Sequence, residues 1–217
     1  MLTALGLFGV VALIAANGYF VAVEFAFVAA RRSRFLEQAE EGDRRSKRAI
    51  EVHKRLSFML SGAQLGITVT TLLVGFIAEP AIASVIEPAL IAVGVPESVT
   101  FGISLTLALI LATMAQMVFG ELAPKNLAIA KPEPVARSLA SSMLLFMRLA
   151  GPIIRLFDGS ANRLLRMIGV EPVEELRGAV STEELDLIVD SSAESGHLTQ
   201  SQAALLDAAT PGSDSPQ

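Results

Sequence analysis

The chain has 217 residues, of which 52% are hydrophobic and only 18% charged, and its mean hydropathy is +0.55. This balance exceeds what a soluble domain of the same length carries, so the bilayer is its natural solvent. The net charge of -5 hides a sorting by location, and the lack of any cysteine excludes a disulfide framework and thiol catalysis.

Residues 1–30 contain no Lys or Arg, and Leu2 to Ala30 is long enough to cross a hydrocarbon core, which takes about 20 apolar residues. Glu24 is its one charge. A secretory signal would begin with cations, whereas this segment begins MLTALGLF and is followed by its charge, so it reads as a span. The next stretch, RRSRFLEQAEEGDRRSKRAIEVHKR, holds nine cations between Arg31 and Arg55. The positive-inside rule puts it in the cytoplasm and the N-terminus outside. His53 is expected to be solvated there.

Leu56 to Ala78 is a second uncharged span, and Glu79 to Ser98, with Pro80, Pro88, Gly94 and Pro96, reads as an outer loop. Val99 to Gly120 is the third span, ended by Pro124 and returning inward to Lys125 and Lys131. Val135 to Phe157 carries Arg137, Arg148 and Arg155 with the breaker Gly151-Pro152, which opposes a conventional fourth crossing. It reads as a re-entrant or interfacial hairpin, a fourth crossing being the alternative.

From Glu171 onward there are ten acids and one Arg. Ser181 with Glu184 forms a capping box, and Gly196 divides the stretch into two short amphipathic helices, with His197 in a polar turn. The expected organisation is a transmembrane domain over 1–157, cytoplasmic connecting helices over 158–209, and a disordered tail or linker edge over 210–217. The fold class is an all-α membrane protein: three transmembrane helices, a re-entrant or juxtamembrane hairpin and short cytoplasmic helices.

Polar residues within the spans carry whatever chemistry there is. Ser57, Ser61, Gln64, Thr68 and Thr71 follow one helical face, as do Thr106, Thr113, Gln116 and Gly120, while Asn17 and Glu24 share a face of the first span. At about 1.5 Å per residue, Glu24, Ser61 with Gln64, and Gln116 with Thr113 reach similar depths from the basic side. An ionisable residue in a span usually faces a cavity or partner, which makes Glu24 the anionic pole of a site. Oxygen-only ligands suit a hard cation such as Mg²⁺ or Na⁺. The bland alternative is that Ser and Thr stripes let helices pack and bond across their interface. Gly62 and Gly66 form a GxxxG, expected to mark a packing or dimer face of the second helix. No nucleophile, base and orienter recur at a usable spacing, so an enzyme is not expected, and neither is a nucleic-acid partner.

FGELAPKNLAIAKPEP, Phe119 to Pro134, is the most specific segment. With NGYFVAVEFAFVAARRSR and LSGAQLGIT it resembles the transmembrane domain of the CNNM/CorC family, also called haemolysin-like. STEELDLIVDSSAESGHLTQSQAALLDAA resembles that family's connecting helices. The resemblance implies a homodimer in the plasma membrane, three spans per subunit, a cytoplasmic belt of juxtamembrane helices, and Mg²⁺ efflux coupled to Na⁺. A membrane scaffold or regulator of ion homeostasis that does not itself transport is the alternative. Members with a metal site place a serine just before the first-helix glutamate, whereas this chain reads VAVE, Val21 to Glu24. The family continues into paired CBS domains that bind adenine nucleotide, and these residues contain no phosphate-cradling loop. For this chain the candidate ligands are Glu24 and Glu121 for charge, with Asn17, Ser61, Gln64 and Thr68 as neutral oxygens, since Mg²⁺ is often held by one or two carboxylates and retained water.

Overall fold

The computed structural model describes residues 2–169, and within them every regular element is helical. The expected connecting helices, capping box, His197 and tail lie outside the described residues. Three helices are long and apolar enough to cross a membrane: α1 (Leu2–Ala29), α4 (Leu56–Ala92), and a third span that runs from Glu97 to Ala130. Two short basic helices, α2 (Arg32–Glu40) and α3 (Arg44–His53), separate the first two spans. They turn at Gly42, whose φ of 95° suits glycine, and Asp43 caps α3 by accepting from the Arg45 and Ser46 N–H groups.

The second helix does not stop at Ala78. It continues through Pro80 and Pro88 to Ala92 and replaces most of the expected outer loop. Packing overrides the breakers: Ala78 and Ala81 lie buried against Val10 and Ile14 of α1. Prolines in such helices are tolerated where neighbouring elements hold the freed backbone groups. At 37 residues α4 is roughly 55 Å long, well beyond a hydrocarbon core of about 30 Å.

The third span is not ended by Pro124 either. It comprises α5 (Glu97–Ala115), a π-helical segment (Gln116–Leu122) and α6 (Ala123–Ala130), with Pro124 inside the first turn of α6. In a regular helix the Gly120 carbonyl would accept from residue 124, but proline has no N–H to give. The wider turn takes up that mismatch.

The chain then forms α7 (Pro132–Leu149) and α8 (Gly151–Met167), which meet at 78° about Ala150. Gly151-Pro152 sits at this corner, and Arg148 and Arg155 are exposed on either side of it.

Small residues let the spans approach. On α5 Thr100, Ser104, Ala108 and Ala112 are buried at steps of four, and on α4 Ala63, Gly66, Thr70, Val74 and Ala78 form a comparable buried line. A second core joins the basic ends of the spans, where Phe27, Phe35, Val52, Met59, Ala136, Ala140 and Met143 are buried together. It ties α2, α3 and α7 to the foot of α1 and α4. His53, expected in solvent, is half-buried there with its ring 6.4 Å from that of Phe35, and burial lowers its pKa.

Candidate functional site

The Gly120 carbonyl that Pro124 cannot serve is taken by another helix. Asn17 of α1 is fully buried, and its Nδ2 donates to Gly120 O at 2.9 Å. Its Oδ1 accepts from the hydroxyls of Thr70 at 2.7 Å and Thr71 at 3.1 Å, both on α4. Gln116 Nε2 reaches Thr71 Oγ1 at 3.5 Å, while Gln116 Oε1 is buried without a hydrogen-bond partner. One amide therefore joins all three spans at the π-helical segment. Gly18, beside it, permits the approach: a Cβ there would lie 2.9 Å from the Pro124 ring and 3.1 Å from the Phe119 carbonyl.

Of the six candidate ligands, only Asn17 enters this network. Glu121 follows Gly120 directly but is exposed, and Lys125 one turn on lies 4.6 Å over the Phe25 ring. Glu24 is half-buried two turns from Asn17 on the same helix. Neither carboxylate has a hydrogen bond or ion pair among the described residues. Ser61 donates to Asp158 Oδ1 of α8 at 2.9 Å. Gln64 is exposed, and Thr68, exposed too, donates to the Gln64 carbonyl of its own helix at 2.8 Å. Among the described residues no three His, Asp or Glu side chains cluster.

The stripe on α4 thus has two fates. Ser57, Gln64 and Thr68 line the surface of the chain, whereas Thr71, exposed as well, donates inward to Asn17 beside Thr70, which lies one position off the stripe. Sequence does not single out Thr70, because its signal is the small-residue line through Gly66 and Val74, which reads as packing. Asp158 belongs to no motif and is equally silent.

The GxxxG face is also used within the chain. A Cβ on Gly66 would sit 2.6 Å from the Phe20 ring of α1, and one on Gly62 would meet Ile154 of α8 at 2.9 Å. These glycines are packed internally, so they do not supply a face for a second copy.

The family model of the cyclin M transmembrane N-terminal domain, CNNM, matches residues 8–202. The chain belongs to the CNNM family. With three spans long enough to cross, this CNNM domain is a multi-pass membrane protein in contact with lipid. It is 46% identical over 197 residues to the UPF0053 protein MT1890 of Mycobacterium tuberculosis, covering 91% of this chain and 43% of that protein. UPF0053 protein YugS of Bacillus subtilis is 36% identical over 198 residues, covering 91% of this chain and 46% of the relative. UPF0053 protein sll0260 of Synechocystis is 29% identical over 205 residues, covering 94% and 45%. This CNNM chain therefore spans about half the length of the curated relatives it matches.

Proposed function

We infer that the chain is the membrane core of a divalent-cation transporter, exporting Mg²⁺ as its substrate in exchange for Na⁺, and is not an enzyme. Its N-terminus lies outside and its basic helices in the cytoplasm of a plasma-membrane homodimer. One observation carries the reading: a polar network of buried Asn17, Thr70 and Gln116, joined at its outer edge by exposed Thr71, meets the backbone of a π-helical segment between three spans. Irregular backbone at membrane depth is tolerated where it is held by protein or lines a watery cavity, and π segments recur at functional sites. Glu24 and Glu121 lie on α1 and the π segment that the network joins, and give the path its negative charge.

The outward stripe on α4 supports the homodimer. Gln64, Thr68 and Thr71 are exposed on a span, yet polar groups within spans face a bundle interior or an aqueous cavity rather than lipid. A second copy facing this side of α4 would enclose them. Mg²⁺ flux from proteoliposomes, measured with and without an opposing Na⁺ gradient, tests the proposal. Flux that depends on Na⁺ supports it, and Mg²⁺ retention under both conditions favours a scaffold or regulator of ion homeostasis.

The scaffold reading has its own support in one chain, where Glu24, Gln64 and Glu121 make no contact with one another through hydrogen bonds. Glu24→Gln separates the two. It preserves size and hydrogen bonding while deleting charge, so a transporter loses far more flux with it than with Ser57→Ala, whereas a scaffold is indifferent to both.

A further inference from the structure

At the basic end of α1 the chain forms a cavity of about 460 Å³, within the range of about 300 to 1,000 Å³ typical of small-ligand clefts. It opens where α1 finishes at Ala29 and where α2 and α7 both begin. Arg31, the N-cap of α2, and Arg34 in its first turn line it, with Arg137 from α7. We propose that this cavity binds a phosphate group at the membrane surface, as presented by the headgroup of an anionic lipid.

The charges around it are unevenly answered. Arg31 has no acidic partner among the described residues. Arg34 pairs with Glu37 at 3.2 Å, but both side chains are more than half exposed, at 57% and 61%. Such a pair is weak and readily exchanged for a better anion. Arg137 Nη1 donates to Asp43 Oδ2 at 3.1 Å. Asp43 is already committed to the Ser46 hydroxyl and to the Arg45 and Ser46 N–H groups, which together with Arg137 hold its carboxyl down at about 2. It thus fixes the Arg137 guanidinium without saturating it, and Arg137 Nε is buried with no hydrogen-bond partner.

Neutral donors converge on the same place. Gln38 lines the cavity with amide N–H groups that have no other hydrogen bond among the described residues, its Oε1 lying 3.2 Å from the Ser46 hydroxyl whose proton Asp43 takes at 2.7 Å. The N-caps of α2 and α7, Arg31 and Lys131, provide no side-chain cap, and α2 has no acid in its first turn. The positive end of α2 is therefore unanswered by protein, an arrangement that favours anions. Glu133 is the lone carboxylate in the lining, against three guanidinium groups. Guanidinium forks match phosphate oxygens in pairs, which a carboxylate-poor cleft of this kind rewards.

Position selects the lipid over other phosphates. Arg31 follows the last turn of a 28-residue apolar helix, so the cavity lies at headgroup level, where cations attract anionic lipid. The test uses the full chain in nanodiscs of phosphatidylcholine doped with phosphatidylglycerol, with retained lipid counted by native mass spectrometry. Wild type is expected to retain phosphatidylglycerol over phosphatidylcholine. Arg31→Gln with Arg34→Gln, both at exposed positions, should weaken that retention roughly twenty-fivefold, at about fivefold per arginine. Arg163→Gln with Arg166→Gln removes equal charge from α8 and should leave it nearly unchanged.

Inorganic phosphate is the second arm. Failure of phosphate to displace phosphatidylglycerol supports the lipid as source, while displacement that depends on Arg31 and Arg34 keeps the site but assigns it to the free ion. Equal losses in the two double variants, or equal retention of both lipids by wild type, would overturn the site in favour of diffuse surface charge. If the Arg31/Arg34 double variant does not fold, the two single variants carry the same comparison.

Discussion

Replacing Asn17 by alanine removes three hydrogen bonds, but the groups left behind fare differently. Thr70 Oγ1 still donates within its own helix, to Gly66 O at 2.8 Å or Ile67 O at 3.0 Å, so its hydroxyl stays satisfied. Thr71 keeps its long contact with Gln116. The Gly120 carbonyl cannot fall back on its α-helical partner, because that residue is Pro124 and has no N–H. Leaving that group unmet costs about 1–3 kcal/mol. The vacated space adds about 1 kcal/mol, since Asn17 is fully enclosed. The expected loss is therefore about 2–4 kcal/mol. Thr70→Val, by contrast, deletes one interhelical bond of a kind that averages about 0.6 kcal/mol in membranes, and Asn17 Oδ1 keeps Thr71. Unfolding free energies from denaturing-detergent titration in mixed micelles give both numbers. If Asn17→Ala and Thr70→Val agree within about 0.5 kcal/mol, the Gly120 carbonyl is not the group that matters.

Gly66→Ala should destabilise by about 1–3 kcal/mol, because its Cβ would fall on the Phe20 ring, whereas Gly75→Ala, with open space around it, should be neutral or slightly stabilising in the same titration. His53 has a folded-state pKa below its ordinary 6.5, so the unfolded chain binds the extra proton first. Stability should fall as pH drops through and below about 6.5, and His53→Gln should flatten that slope in thermal melts. Asp43 has the opposite sign in a lower window: its support is present above the ordinary 3.8 and is lost as pH falls towards about 2, so Asp43→Asn should remove pH dependence there and leave the slope near pH 6 intact. Asp158→Ala should loosen α8 from α4, seen as faster protease cleavage near residue 158, with Ser61→Ala producing the same change.

The three spans are legible because a run of apolar residues without cations has few other uses, and Leu2 to Ala30 differs from the observed α1 by a single residue. Length is less legible than existence. Pro80 and Pro88 are breakers by local chemistry, and only the burial of Ala78 and Ala81 against α1 shows why α4 runs on. In the same way Pro124 reads as a terminator when it is the cause of a wider turn. Depth along separate helices, the basis of the candidate site, fixes height but not rotation. Asn17 is recoverable because a buried amide in a span needs partners. Its partners are not, since Thr70 lies off the polar stripe and the Gly120 carbonyl belongs to the backbone, on which side-chain patterns are silent. The glycines show the converse limit: GxxxG marks close packing, but nothing in the motif tells whether the neighbour is Phe20 of the same chain or another copy.

The π-helical segment also sets the rotational phase of the helix beyond it. A turn closed by five residues instead of four acts as an added residue in an otherwise regular helix, which offsets every later position by about 100°. The face that α5 presents to α4 is therefore not the face that α6 presents to α1, although the two form one continuous rod. Ala108 and Ala112 can seat against the second span while Ala128 seats in the core at the basic end and Lys125 swings over Phe25. Any event that let Gln116–Leu122 relax to a regular helix would turn α6 like a key in its lock, lifting Lys125 from its ring and carrying Glu121 to a new bearing.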